Sequence, residues 1–365
     1  MSNETDCDVL IIGAGPTGMS AALALHDYGY KVKIIDKYEK GLSFSRAILV
    51  NSQTLNLLKP YGVSDKIMEI GFPFSSITIN GPSGTIIKGR VDLDNNSIVH
   101  PTSLPQLETE QCFKEALIQR GILIARPCIL KSFEQYEDYV EAFFEDDKKY
   151  KPVRAKYLLG ADGFHSNVRD QLGIRYNQSA GSLMMYSQDA DIDWSNNSDV
   201  TIWILSTGAV LAFKIGNNKV RFAATNKESF LALGLANRIQ KTTWESEFAV
   251  YFAQVSKYGD RRVWLAGDAA HVHSPVGGRG MNMGIADGIR FAKAVVENDF
   301  AGYQIDRHAV SDSWVKKNKL FTEIMSDKSI KGSVSRALVR QVFTLVGLIS
   351  GQNAAKKIFN AIAVG

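Results

Sequence analysis

Cysteine is scarce in this chain of 365 residues: only Cys7, Cys112 and Cys128 occur. The number is odd, the spacing matches no metal site, and no pair stands at the spacing of a redox dithiol. A disulfide-stapled scaffold is therefore excluded, no metal is expected, and a reducing compartment fits best. A long apolar run is also missing. The longest stretch near the end, Val342 to Ser350, falls well short of the roughly 20 residues that span a bilayer. The opening MSNETDCD is polar and acidic, unlike a secretory leader. These absences lead to the expectation of a cytoplasmic protein with no transmembrane segment. There are no internal repeats and no low-complexity tracts, which excludes a solenoid or a disordered linker.

A strong charge of either sign is lacking too. The net charge is +4, and no nucleic-acid partner is expected. From Lys316 to Lys357, nine Lys/Arg stand against two Asp/Glu, a local balance of +7 that leaves −3 for the remainder. Such a section reads first as a solvated helical face and second as a peripheral contact with a membrane surface or acidic partner. The 45% hydrophobic and 22% charged content is that of an ordinary globular protein, long enough for about two domains.

The chemistry lies in three glycine-rich stretches. In the first, Asp8 to Ile12 reads as an inner strand and GAGPTG places Gly13, Gly15 and Gly18 at G-x-G-x-x-G spacing. Pro16 to Gly29 then reads as a helix, and Lys31 to Asp36 as a strand closed by an acid. Every part of a βαβ dinucleotide fingerprint is in context. The glycines admit a pyrophosphate, the helix N-terminus binds it, and Asp36 accepts from a ribose hydroxyl. In the second stretch, Tyr157 to Ala161 reads as a buried strand closed by Asp162 and Gly163, with Ser166 and Arg169 opening a helix. In the third, the strand Val263 to Ala266 runs into Gly267 and Asp268. Pro275, Gly277, Gly278 and Gly280 then leave the backbone open to a flat ligand. A helix from Met281 to Glu297 points its free N–H groups at an anionic group.

Between these stretches, Ser52 or Gln53 starts a helix, and Gln106 stands at a loop-to-helix boundary before a helix from Glu108 to Gly121. Ile122 to Arg126 reads as a strand, followed by a hairpin with Asp146 to Lys149 at its tip. From Gly181 to Thr225 the residues alternate with period two, the pattern of an antiparallel sheet. A helix from Lys227 to Asn237 follows, and the chain is mostly helical after Tyr303. An antiparallel unit (81–102 and 181–257) is thus expected inside a nucleotide-binding unit (1–80, 103–180 and 258–300), with a helical section at 301–365.

GAGPTG with Asp36, GADG at Gly160 to Gly163 and GDAAHVHSPVGGRGMNMG at Gly267 to Gly284 together resemble the class A FAD-dependent aromatic hydroxylases, the p-hydroxybenzoate hydroxylase-like flavoprotein monooxygenases. Ser45-Arg46-Ala47, Gln106, and Tyr303 with Arg307 are lesser matches, and the resemblance spans nearly the whole chain. It implies an α/β fold: a Rossmann-like FAD-binding domain of the glutathione-reductase type, an inserted antiparallel-sheet substrate domain and a helical C-terminus. It implies tightly but non-covalently bound FAD, with NADPH or NADH and O2 as co-substrates. Gly13, Gly15, Pro16, Thr17 and Gly18 would hold the pyrophosphate, Asp36 and Lys37 the adenosine ribose, and Arg46 and Gln106 the phosphate and ribityl region. Asp162 and Gly163 would touch both FAD and NAD(P)H. Gly267 and Asp268 would bind the ribityl chain, while Pro275, Gly278, Arg279, Gly280, Met281 and Asn282 wrap the isoalloxazine. Arg46, Pro275 and Arg279 are the catalytic candidates.

The implied reaction is hydroxylation of a phenolic or polycyclic aromatic molecule through a flavin C4a-hydroperoxide, by a monomer or homodimer. Alternatives on the same fold are an epoxidase, a Baeyer–Villiger oxygenase, a halogenase, a prenyl-chain reductase or a flavin protein without oxygenation. Arg279 departs from the family, in which Gln is common at that position. For the substrate wall the alternating segments offer Tyr186, Gln188, Trp203 and Phe213, with Met184 and Phe222; alternation sends half of such a set away from the pocket. His271 reads as a structural member of its motif and His273 as a group facing the site. No general base stands out.

Overall fold

The computed structural model describes residues 5–40, 47–90, 100–145, 151–178, 183–194 and 197–350. Its central element is the strand Cys7–Ile12, in which Val9, Leu10 and Ile11 are fully buried. An apolar run without alternation is what a parallel strand covered on both faces requires. This strand pairs in parallel with Val153–Gly160 on one side and Val32–Ile35 on the other. The sheet extends to Val263–Leu265 beyond the first and to Ile124–Ala125 beyond the second. The register sets Ile12 beside Gly160 and Gly160 beside Leu265. All three glycine-rich motifs therefore leave the carboxyl ends of adjacent parallel strands, where ligands of open α/β sheets bind.

The helix Pro16–Asp27 packs against the helix Gly280–Glu297 at close range. A Cβ at Gly284 would lie 2.3 Å from Thr17 Oγ1, and one at Gly288 would lie 2.4 Å from the Thr17 carbonyl oxygen. Ser20 Oγ donates across the seam to the Ile285 carbonyl at 3.2 Å.

The second large sheet has seven strands in the order Ile239–Val250, Leu183–Ile192, Lys219–Ala224, Ala209–Gly216, Val200–Ile204, Ser76–Gly81, Gly84–Arg90. It is antiparallel except where Val200–Ile204 pairs in parallel with Ser76–Gly81. That last strand crosses the boundary expected at residue 80: Ile77 and Ile79 pair with Val200 and Ile202, so the sheet begins at Ser76. The helix expected from Lys227 to Asn237 stops at Leu231; Gly234 turns left-handed at φ 65°, and a 3-10 turn, Ala236–Arg238, follows. The tip Asp146 to Lys149 lies outside the described residues, but the strands Val140–Phe144 and Val153–Gly160 on either side of it pair antiparallel.

The C-terminal section forms the helices Phe300–Ser326 and Ile330–Ser350. Asp299 caps the first by accepting from the Gly302 amide at 2.9 Å. Tyr303, Ser311, Asn318, Thr322 and Met325 are its buried positions, at helical spacing. Among the described residues no helix is long and apolar enough to cross a membrane.

Because a Cβ at Gly288 would meet the Thr17 and Ala21 backbone as well as Ser20 Oγ, Gly288→Ala is expected to destabilise the protein by about 1–3 kcal/mol. The urea midpoint should fall with an unchanged m-value; a wild-type midpoint would show that the helix seam yields.

Candidate active site

At the first motif, the helix Pro16–Asp27 begins after Gly15 with no side-chain cap, so its first N–H groups face outward. Gly13 has φ 104°, and a Cβ there would lie 2.2 Å from the Ala161 carbonyl oxygen; one at Gly18 would lie 1.9 Å from that of Gly13. At Gly15 a Cβ meets nothing within 4 Å, which leaves open space in front of the helix. The buried Asp36 works on the loop itself: Oδ2 accepts from the Ala14 amide and Oδ1 from the Tyr38 amide, both at 2.8 Å. Arg126, which the sequence reading passed over, sits 3.7 Å from Asp36 and donates to the Ala14 carbonyl at 3.3 Å. Its Nε is sealed from solvent without a hydrogen-bond partner among the described residues. Lys37 is exposed, with its ammonium over the Tyr38 ring. Gln106 opens its helix and donates to Glu110 at 3.0 Å. Burial pushes the Glu110 carboxyl up, with Gln106 opposing. Arg46 lies outside the described residues.

At the second motif, burial raises the Asp162 pKa, opposed by the Ser166 hydroxyl at 2.5 Å and the Val168 amide at 3.2 Å. Asp162 thus braces its own loop, beside an unobstructed Gly163. Phe164 stacks between Tyr176 and Tyr251, and the Tyr176 hydroxyl donates to the Asp268 carbonyl, joining the second motif to the third.

The third motif is anchored from behind by the fully buried Asp287. Its carboxylate accepts from the Gly267 amide at 2.9 Å and from Arg307 Nε at 2.5 Å, and His271 Nε2 lies 2.6 Å away. Burial alone would raise this carboxyl, but Arg307 and then His271 hold it down at about 2. His271 therefore serves the turn, in line with its structural reading. Asp268 is exposed at the sheet edge.

In the loop that follows, the Gly278 amide donates to the Pro275 carbonyl at 2.9 Å. Gly278 has φ 61°, and a Cβ there would press on Leu49 at 2.8 Å. Asn282 uses its carboxamide on backbone: it accepts from the Asn51 amide and donates to the Leu49 and Gly278 carbonyls. Gly280 starts its helix without a side-chain cap, next to the half-buried Met281. Burial lowers the Arg279 pKa, but a guanidinium remains charged. His273 is held at about 4, mainly by burial, and is neutral at pH 7. Its Nδ1 lies 2.8 Å from the Ser274 carbonyl. Its Nε2 and Trp314 Nε1 are sealed without hydrogen-bond partners among the described residues.

Most of the expected substrate wall faces the wrong way. Tyr186, Trp203 and Phe222 cluster with Phe230 and Leu235 on the face of the seven-stranded sheet away from the loop. Gln188 shares that face, bonded to Tyr186 and Thr242, and Met184 is exposed. Of the named set, Phe213 alone packs with Leu49 and Phe74. Strand parity instead turns Met185 to the loop, where its sulfur lies 3.5 Å from Ser274 Oγ. Missed altogether were Trp314 and Asn318, whose helical spacing from Tyr303 and Arg307 was the available signal.

Two expectations follow. Gly15→Val should fold, because the side chain enters open space, yet fail to retain FAD; a yellow, FAD-loaded variant would contradict the site. Asp287→Ala should cost roughly 3–5 kcal/mol at neutral pH, since it strands Arg307. Because the folded pKa of Asp287 is depressed from 3.8 to about 2, its contribution is complete above the first value and lost as pH falls towards the second. An acid-unfolding curve of the variant should lack that part of the wild-type slope; identical slopes would remove Asp287 from the acid response.

The open space at Gly15, two uncapped helix N-termini and sealed polar atoms at Arg126, His273 and Trp314 fit FAD. A family model described as an FAD binding domain matches residues 6–229 and 231–298. 6-Methylpretetramide 4-monooxygenase of Streptomyces rimosus is 30% identical over 306 residues, which is 78% of this chain and 54% of that enzyme. The chain therefore spans about half the length of that relative. Rifampicin monooxygenase of Streptomyces venezuelae is 26% identical over 364 residues, 92% of this chain and 75% of that enzyme. In fold, p-nitrophenol 4-monooxygenase PnpA of Pseudomonas putida DLL-E4 is similar with a TM-score of 0.83 at 20% identity, covering 98% of both chains. With its family model covering most of the chain and its motifs meeting at one sheet edge, the protein belongs to the class A FAD-dependent aromatic hydroxylase family, and FAD is its cofactor.

Proposed function

We propose that the protein is an FAD-dependent monooxygenase that uses NAD(P)H and O2 to hydroxylate a phenolic or polycyclic aromatic molecule. The observation that carries this reading is the loop Pro275 to Asn282, held by the Asn282 carboxamide on the Leu49 and Gly278 carbonyls, with Leu49 against Gly278 and Met185 packed with Val276. The relatives support the substrate class: those named act on 6-methylpretetramide and rifampicin.

In this reading the helix at Pro16 and the glycines before it bind the pyrophosphate, and Asp36 with Arg126 receives the adenosine ribose. Asp268 binds the ribityl chain, and the loop receives the isoalloxazine. The N-terminus of Gly280–Glu297 and the Arg279 guanidinium lie where negative charge gathers on reduction. Bound FAD supplies electron transfer and oxygen activation. The chain positions the aromatic ring against that loop and keeps water out with the apolar wall. The neutral His273 packs beside Trp314 and holds its Nδ1 at the Ser274 carbonyl, which keeps this end of the loop in place. The strands from Ser76 and from Leu183 form the substrate domain, the parallel-sheet unit binds FAD, and the C-terminal helices close the site. A cytoplasmic monomer or homodimer is the working assembly.

The test is NADPH and NADH consumption by FAD-loaded protein against phenols and polycyclic aromatics, with product masses recorded. A ligand that stimulates consumption and gains one oxygen atom is expected. Bound FAD with no stimulation across the panel would favour a flavin protein without oxygenation.

A further inference from the structure

The match to the FAD binding domain ends at residue 298, yet side chains from beyond it reach the loop Pro275 to Asn282. Asn318 Nδ2 donates to the Val276 carbonyl at 2.6 Å. One turn earlier on the same helix, the Trp314 ring lies against Gly277, where a Cβ would come within 3.0 Å of it. The ring stands edge-on to His273, with centroids 6.0 Å apart. It carries the Arg279 guanidinium 4.1 Å from its centroid.

We infer that Trp314 is a positioning residue: it fixes the Arg279 guanidinium beside the loop and thereby sets how strongly bound FAD favours its reduced, anionic form. The inference rests on the placement of the isoalloxazine against Pro275 to Asn282 proposed above. Reduction by two electrons and one proton leaves a negative charge on the flavin, and a nearby cation lowers the energy of that state. The effect depends on distance and hydration. A guanidinium wandering in water is screened and averaged, whereas one held over an indole in a half-buried cleft keeps a short distance and a low local dielectric. Tryptophan presents the strongest aromatic face for a cation. Its Nε1 has no hydrogen-bond partner among the described residues, so on the protein side the indole is seated by packing and by the cation. Asn318 fixes the backbone next to that packing surface, so the helix and the loop hold each other in register.

The test is the midpoint potential of bound FAD, by redox-dye equilibration, in the wild type, Arg279→Gln, Trp314→Ala, Trp314→Phe and the Arg279→Gln/Trp314→Ala double variant. Arg279→Gln should lower the potential. A tenfold fall in the ratio of reduced to oxidised FAD corresponds to about 30 mV for a two-electron couple. Trp314→Ala should shift it in the same direction, and Trp314→Phe, which keeps a weaker face, should fall between. The double variant should be no lower than Arg279→Gln alone, since Trp314 acts through Arg279. A wild-type potential in Trp314→Ala, or full additivity in the double variant, would overturn the inference while leaving the flavin placement intact. An unchanged potential in Arg279→Gln would overturn the placement and the inference with it. If Trp314→Ala does not fold, Trp314→Phe and its double with Arg279→Gln carry the same comparison.

Discussion

The Thr17 side chain lies between Gly267 and Gly284, and its carbonyl lies against Gly288. Three backbones meet there: the N-terminus of Pro16–Asp27, the turn at the end of Val263–Leu265, and the helix Gly280–Glu297. A side chain on any of those glycines would drive the segments apart by more than soft packing absorbs. The cofactor site depends on this approach. It brings two helix N-termini, with their uncompensated N–H groups, to one edge of the parallel sheet, and a dinucleotide with a flat head needs both.

Close packing alone does not orient the turn that carries Asp268. That task falls to Asp287, a carboxylate with no solvent to stabilise it. Such a charge is tolerated only when a cation and hydrogen-bond partners surround it, and Arg307, the His271 ring and the Gly267 amide do so. The cost of leaving any one partner unpaired makes the geometry stiff. Arg307 comes from the helix Phe300–Ser326, so this charge cluster also docks the C-terminal section onto the cofactor turn. Tyr303 adds a hydrogen bond to the Leu265 carbonyl at 2.7 Å, and Asn318 repeats the device farther along the helix.

The seven-stranded sheet meets the site through one face only. Leu211, Phe213 and Ile77 pack with Leu49 and Phe74, while Tyr186, Trp203 and Phe222 fill a separate core under Phe230. The polar network of Tyr186, Gln188, Thr242 and Glu245 belongs to that outer side, where it orders the edge strand Ile239–Val250. In the proposed reading, the aromatic ring lies between this apolar sheet face and the C-terminal helix.

Local chemistry made much of this legible in the sequence. Gly13, Gly15, Gly18, Asp162, Gly267 and Asp268 are dictated by what a strand-to-helix turn against a phosphate or flat ring requires, and each requirement acts over a few residues. The α/β fold and the inserted sheet follow from periodicities of the same short range. Tertiary structure alone decided the rest. Alternation in Leu183–Ile192 marks two faces but not which one meets the loop, because that choice depends on packing against Ser274 and Val276, far away in the chain. Trp314 and Asn318 lie on a helical stripe whose polar members, Ser311 and Thr322, mask it as a surface pattern until Arg307 and Asp287 pair. Arg126 acquires meaning only when Asp36 is beside it. Determined by sequence were the pieces whose partners lie within a few residues in the chain; left to the folded structure were those whose partners arrive from far outside that window, as Asn318 does to Val276 and Met185 to Ser274.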